Sequence, residues 1–311
     1  MELKSLLEGF KDVFVVYDRN VAGYVRELLP GRPALAIDAC EAAKTLDTVA
    51  AICRWLLEKG ADREALVLAV GGGVTTDTVG FAASIFKRGV RYANVPTTLL
   101  SQVDAAIGGK TGVNLDGFKN MLGVFAQPQF TFPLPEALKT LPEREFRSGA
   151  AEMLKTFIIS DGGNYARAVN ALSRPEKDYS ELGELVRAAA AVKSGIVARD
   201  PLEKGERRVL NLGHTMGHAI EWRSPGVYTH GEAVAMGIIY AARLAERCGV
   251  AASGLAERLA ADFISCGLPV ELPFPEEELM KAAAFDKKVS GGRINWILPV
   301  RIGEVRIIAL D

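Results

Sequence analysis

The chain has 311 residues, room for two domains that each bury a core, and its hydrophobic (49%) and charged (24%) fractions are those of an ordinary soluble protein. With 37 basic against 38 acidic residues the formal net charge is −1, so no global positive field recruits nucleic acid or a membrane surface. An anionic ligand would have to be met by a local cluster.

The first half alternates strands and helices. Asp12–Tyr17 reads as a buried strand and Val21–Leu29 as a short helix closed by Pro30-Gly31. Ala34–Ile37 is a second strand, and Leu46–Lys59 places apolar residues at helical spacing before stopping at Gly60. Ala65–Val70 is the strongest strand. Gly71–Asp77 then leads into a helix predicted at Thr78–Phe86, and Tyr92–Pro96 gives one more strand. Repeated βα units imply a parallel sheet covered on both faces, with ligands at the carboxyl ends of its strands.

Four prolines (Pro128, Pro133, Pro135, Pro142) punctuate Gln127–Glu143, and the remainder reads mainly helical. Helices are predicted at Arg147–Ser160, Leu182–Arg199, Gly213–Trp222, Gly231–Cys248 and Ala252–Cys266, followed by a hairpin of Arg293–Val300 and Glu304–Ile308. The expected class is α/β plus all-α: a Rossmann-like parallel-sheet domain over residues 1–135, then a mainly helical metal-binding domain over 136–311. That boundary is placed to within about ten residues. The four cysteines (Cys40, Cys53, Cys248, Cys266) are dispersed, which argues against a disulfide framework or a thiolate zinc site and suits a reducing compartment. Met1-Glu2-Leu3-Lys4 carries charge where a secretion signal has an apolar run, and Ala233–Ala242 is too short to span a bilayer, so a cytoplasmic protein is expected.

Gly71-Gly72-Gly73 follows a strand and precedes a helix, a place where backbone N–H groups and the helix N-terminus suit a diphosphate. The Gly-x-Gly-x-x-Gly pattern needs glycine at position 76, where Thr76 stands, so a tight structural turn remains a rival reading. Asp77 reads as a ligand for a ribose hydroxyl or as a helix cap. Lys110 follows Gly108-Gly109, an ammonium beside exposed donors that suits phosphate or carboxylate; taken alone, it is better read as a solvated surface lysine. Glu152 and Lys155 share a helix face, ordinarily an exposed ion pair, but Met153, Leu154, Phe157 and Ile158 would partly bury it.

All three histidines (His214, His218, His230) fall within seventeen residues. His214 and His218 are spaced to project from one helix face, and Ser224-Pro225-Gly226 would fold His230 back toward them. Imidazole is the commonest side-chain metal ligand and a natural proton shuttle, so the locus reads as a metal or acid–base site. Spacing alone nominates His214 and His218 as the metal pair, with Glu152 able to complete a two-histidine, one-carboxylate site. No His-Glu-x-x-His is present, so the metalloprotease analogy fails.

Taken together, these segments resemble the 3-dehydroquinate synthase family. The matching stretches are Gly71–Asp77, Phe81–Gly89, Pro96–Gly112, Lys119-Asn120 and Leu138–Glu152, then Lys155, Lys193, Arg207, Asn211–Glu221, His230–Glu232 and Asp286-Lys287-Lys288. They run in order from about Glu41 to the carboxyl end.

The resemblance implies a zinc or cobalt ion on Glu152, His214 and His230, and gives His218 a proton-transfer role beside the substrate. It implies NAD on Glu41 and Lys44, on Gly73, Val74, Thr75, Thr76 and Asp77, and on Thr97 and Thr98. Asp104, Lys110, Lys119, Ala137, Leu138, Lys139 and Thr140 complete that set. The implied substrate is a phosphorylated sugar acid, 3-deoxy-D-arabino-heptulosonate 7-phosphate, held by Arg88, Asp104, Lys110, Asn120, Lys155, Lys193, Arg207, Asn211, His218 and one of Lys287 or Lys288. Among these, His218, Asn211, Lys155, Lys193 and Arg207 are the implied catalytic residues. The implied reaction oxidises the substrate transiently with NAD, eliminates phosphate, returns the hydride and closes a carbocycle to give 3-dehydroquinate, within the shikimate pathway. In the family Arg88 reaches a neighbouring subunit, which implies a homodimer; no nucleic-acid or membrane partner is expected. Other sugar-phosphate cyclases and metal-dependent polyol dehydrogenases are the rival enzymes, and an inactive nucleotide-binding regulator is the rival from another class.

Overall fold

The computed structural model describes residues 2–285, 289–290 and 293–310, and the chain falls into two compact units, Met1–Leu141 and Pro142–Asp311. The first is built on a parallel four-stranded sheet. Its strands are β1 (Val13–Asp18), β2 (Ala34–Ile37), β3 (Leu66–Gly71) and β4 (Arg91–Pro96), in the order β2-β1-β3-β4. Successive side chains of a strand point to opposite faces, and both faces are buried here. Phe14, Val16, Val67 and Ala69 pack on one side with Val49, Ile52 and Leu56 of α3 (Leu46–Glu58) and Val79 and Ala82 of α4 (Gly73–Ile85). Val13, Val15, Leu66, Leu68 and Val70 pack on the other side with Leu3 and Leu7 of α1 (Leu3–Leu7) and Val25 of α2 (Ala22–Leu28).

The chain leaves β1 toward one edge of the sheet and β3 toward the other, so their carboxyl ends form a topological switch point. α4 starts there, at Gly73 rather than at Thr78 as the sequence suggested, with Gly72 as its N-cap. Glycine is a poor helix former, which is why the run reads as a loop; packing decides otherwise, since a Cβ on Gly72 would lie 2.9 Å from Thr98 Cγ2. Beyond β4 come a wide π-type turn, Ser101–Ala105, and an antiparallel hairpin of β5 (Lys110–Leu115) and β6 (Phe118–Phe125) that the glycine-rich sequence did not announce. A short 3₁₀ turn, Pro135–Thr140, closes the unit.

The second unit is mainly helical, with α5 (Glu143–Ser160), α6 (Gly162–Ser173), α7 (Tyr179–Arg199), α8 (His214–Arg223), α9 (His230–Arg247), α10 (Leu255–Ser265) and α11 (Glu276–Phe285). An antiparallel sheet of β7 (Val289–Ser290), β8 (Arg293–Arg301) and β9 (Glu304–Leu310) completes it. α5 is buried on every side from Ser148 to Ile159, so it is the helix around which the others pack. Among the described residues, no helix is long and apolar enough to cross a membrane.

Candidate active site

The metal cluster is assembled from three helices by close backbone approach. Glu152 lies midway along buried α5, His214 is the first residue of α8 and His230 the first of α9. α9 reaches α5 at Gly231, whose N–H donates to Ser148 Oγ at 3.0 Å; a Cβ there would lie 2.0 Å from the Ser148 carbonyl oxygen. Ser148 is one helical turn before Glu152, so this contact puts the start of α9 beside the carboxylate. α8 meets α9 in the same way, because a Cβ on Gly237 would lie 2.0 Å from the Gly213 carbonyl oxygen. Thr229 and Glu232 form a reciprocal capping box at the start of α9, and Arg144 of α5 pairs with Glu232 at 2.8 Å. Burial resists charge on Glu232, but Arg144 and the Thr229 N–H hold its carboxyl below the usual range.

Among the described residues, Glu152, His214 and His230 form a group able to hold a metal ion, each offering one ligand atom within 4.8 Å of the others. The Nδ1 of His214 is paired with the Leu212 carbonyl at 3.1 Å, and that of His230 with Glu221 Oε2 at 3.1 Å. A carbonyl or carboxylate accepts, so both rings carry a proton on Nδ1 and turn their Nε2 atoms inward, as outer partners do for metal-ligating histidines. Those Nε2 atoms stand 3.9 Å and 3.4 Å from Glu152 Oε1. Burial works against charge on His230, but hydrogen bonds to Glu152 and Glu221 outweigh it and push its pKa up to about 10.

Glu152 is fully buried, with Lys155, itself 1% exposed, as its ion-pair partner and, among the described residues, no further hydrogen-bond donor of ordinary geometry on its oxygens. A buried carboxylate ordinarily collects several hydrogen bonds, so these oxygens, with the two inward imidazole nitrogens, fit a divalent cation of the zinc type. His218 is a half-buried neighbour of this group, its ring centroid 5.4 Å from that of His214.

In the same unit, Lys193 and Arg207 are 6% and 2% exposed, an unusual depth for cations. Arg207 donates to the Pro201 carbonyl at 2.7 Å, and Asp200 accepts the N–H groups of Lys204, Gly205 and Arg207. Hydrogen bonds from those backbone groups outweigh desolvation and hold the Asp200 carboxyl below the usual range. Asn211 donates to Glu203 Oε1 at 2.6 Å. Glu203, with a left-handed φ of 57°, and Glu221 escaped the sequence reading as partners, although Glu221 ends the histidine motif itself. Lys287 and Lys288, assigned to substrate by resemblance, lie outside the described residues.

In the first unit, Gly73, Val74, Thr75, Thr76 and Asp77 form the opening turns of α4 at the carboxyl end of β3. Asp77 is not a cap: its Oδ2 accepts from Lys44 Nζ at 2.6 Å, and Lys44 also reaches Asn120 Oδ1 at 2.5 Å. Thr97 is buried, Thr98 exchanges hydrogen bonds with Ser101, and Asp104 lies on the wide turn that follows. Ala137 and Leu138 are buried in the 3₁₀ turn that also carries Lys139 and Thr140. Glu41, Arg88, Lys110 and Lys119 are exposed, and Arg88 has a left-handed φ of 68°.

A family model described as 3-dehydroquinate synthase N-terminal matches residues 34–148, and one described as 3-dehydroquinate synthase C-terminal matches residues 149–289. The 3-dehydroquinate synthase of Acidithiobacillus ferrooxidans is 43% identical over 308 residues, covering 95% of this chain and 84% of its own. The structure resembles the 2-epi-5-epi-valiolone synthase ValA of Streptomyces hygroscopicus subsp. jinggangensis, solved with NAD+ and Zn2+ bound. The TM-score is 0.88 at 29% identity, over 99% of this chain and 89% of that one. It also resembles a 2-deoxy-scyllo-inosose synthase solved with carbaglucose-6-phosphate, NAD+ and Co2+, with a TM-score of 0.87 at 27% identity, over 97% of this chain and 88% of that one.

Proposed function

The chain belongs to the 3-dehydroquinate synthase family, and from this we propose that it converts 3-deoxy-D-arabino-heptulosonate 7-phosphate to 3-dehydroquinate and inorganic phosphate, as an NAD- and metal-dependent carbon–oxygen lyase. The observation that carries the reading is the Glu152, His214 and His230 cluster, in a chain whose structural relatives hold NAD+ with Zn2+ or Co2+. When bound, NAD accepts and returns a hydride, and the divalent ion acts as a Lewis acid toward a neighbouring hydroxyl.

The chain's own residues bind, orient and move protons. A phosphorylated sugar acid brings two anionic groups, and Lys155, Lys193 and Arg207 offer deeply buried cations in a chain of net charge −1. The family resemblance also assigns Arg88, Lys110 and Asn120 to substrate, Arg88 to that of a partner subunit in a homodimer. Asn211, braced by Glu203, orients substrate hydroxyls, and the His218 imidazole takes and returns a proton on a ring nitrogen. The first turns of α4 receive the cofactor's diphosphate, where bare N–H groups favour negative charge.

One assay tests the whole reading: purified protein with the heptulosonate phosphate, NAD and a divalent metal, followed for phosphate and for nicotinamide absorbance. Phosphate release without net NADH, stopped by a chelator, is the expected result. Net NADH from a simple polyol would identify a dehydrogenase, and silence with every substrate would overturn the enzymatic reading.

A further inference from the structure

The first unit holds a hydrogen-bonded network that runs from Lys44 to Asn114, a residue to which no role has been given. Lys44, 4% exposed, donates to Asp77 Oδ2 at 2.6 Å and to Asn120 Oδ1 at 2.5 Å. An ammonium carries donors and no acceptor, so only the carbonyl end of the Asn120 amide can face it. The Nδ2 end of that amide is thereby turned away from Lys44, as a donor. Asn120 has a left-handed φ of 54°, which asparagine tolerates better than most residues, and its backbone N–H donates to Asn114 Oδ1 at 2.8 Å.

Asn114 closes the network. It lies where the β5–β6 register shifts, between Val113 and Leu115, and such irregularities re-aim a side chain out of the ladder. Its Nδ2 donates to Glu41 Oε1 at 2.8 Å, and its backbone N–H donates to the Lys44 carbonyl at 2.9 Å. One side chain therefore ties the Glu41–Lys44 turn to the hairpin and holds the Asn120 backbone in place.

We propose that Asn114 is a positioning residue for the substrate: by fixing Asn120 against Lys44, it presents the Asn120 Nδ2 as a donor to an oxygen of the anionic sugar phosphate. The proposal rests on the reading of Asn120 as a substrate contact. Among the described residues the Asn114 side chain touches the cofactor side through exposed Glu41, its backbone bond to the Lys44 carbonyl survives substitution, and the Lys44–Asp77 ion pair holds that side without it. Its loss therefore falls on substrate rather than on NAD.

Three variants of the intact enzyme test this. Asn114→Ala raises KM for the heptulosonate phosphate about tenfold, the effect of one mis-set hydrogen bond, and changes NAD affinity less than about threefold. Asn114→Ser keeps an acceptor for the Asn120 N–H, recovers part of the KM and carries the test alone if the alanine variant does not fold. Asn120→Gly suits the left-handed backbone, lacks the amide and raises KM at least as far. If Asn120→Gly raises KM and the Asn114 variants lose only thermal midpoint or active fraction, Asn114 is merely structural and the proposal fails. If Asn120→Gly leaves KM unchanged, the substrate role of Asn120 fails, and the proposal with it.

Discussion

His214 and His218 occupy one helix face, the spacing that nominated them as a metal pair, yet the inward-facing nitrogens that meet Glu152 belong to His214 and His230. Sequence spacing sees only the nearest turn of helix. The sequence reading named Glu152, 62 residues before His214, as a possible oxygen ligand and took Ser224–Gly226 as a return toward the histidines, but it could not choose between His218 and His230 as the second nitrogen ligand. The resemblance supplied that set, and the outer partners Leu212, Glu221 and Glu203 were visible to neither reading because their roles are geometric. His230→Ala should lose metal, beyond the roughly 10–100-fold cost of removing an outer partner. His218→Ala should keep metal and slow turnover by about 10²–10⁴-fold, the usual worth of a positioned acid–base group. Metal content and kcat measured on both variants decide the matter; a metal-free His218→Ala protein would refute the ligand assignment.

At the level of elements, strands β1 to β4 and the long helices were legible because their apolar patterns are set by burial on the sheet faces or around α5. The β5–β6 hairpin was not: its exposed Phe118, Met121, Val124 and Phe125 give no alternating buried face to read. α6 and α11 were missed as well, α6 opening on Gly162-Gly163 and α11 on three successive glutamates, neither of which resembles an apolar helical stripe. The α5–α9 junction is the element-level feature on which the metal cluster depends. Gly231→Ala would drive a Cβ into the Ser148 carbonyl, and overpacking of this kind costs about 1–3 kcal/mol. The displaced helix start would also move His230 away from Glu152. Thermal unfolding and bound metal should fall together in Gly231→Ala; an unchanged metal content would show that the junction does not set the cluster.

For the molecule as a whole, composition offered no global positive field but could not reveal the buried cations of the second unit, since Lys155, Lys193 and Arg207 vanish into a balanced total. Stability too is a property of the whole chain, and Glu152 links it to the metal. Lys155 is paired with the Glu152 carboxylate, and an ion bound to Glu152, His214 and His230 in the native state but not in the unfolded chain stabilises the native state by mass action. At a thousandfold excess over its Kd, that contribution is about 4 kcal/mol, and chelation should lower the thermal midpoint by on the order of 10 °C. A chain stripped of metal opens more often, and proteases act on opened chains. The protein's lifetime therefore reports its loading: a limited-proteolysis time course should run faster with chelator than with zinc, and equal rates would break the link. On that expectation, an idle copy is the one a protease removes first.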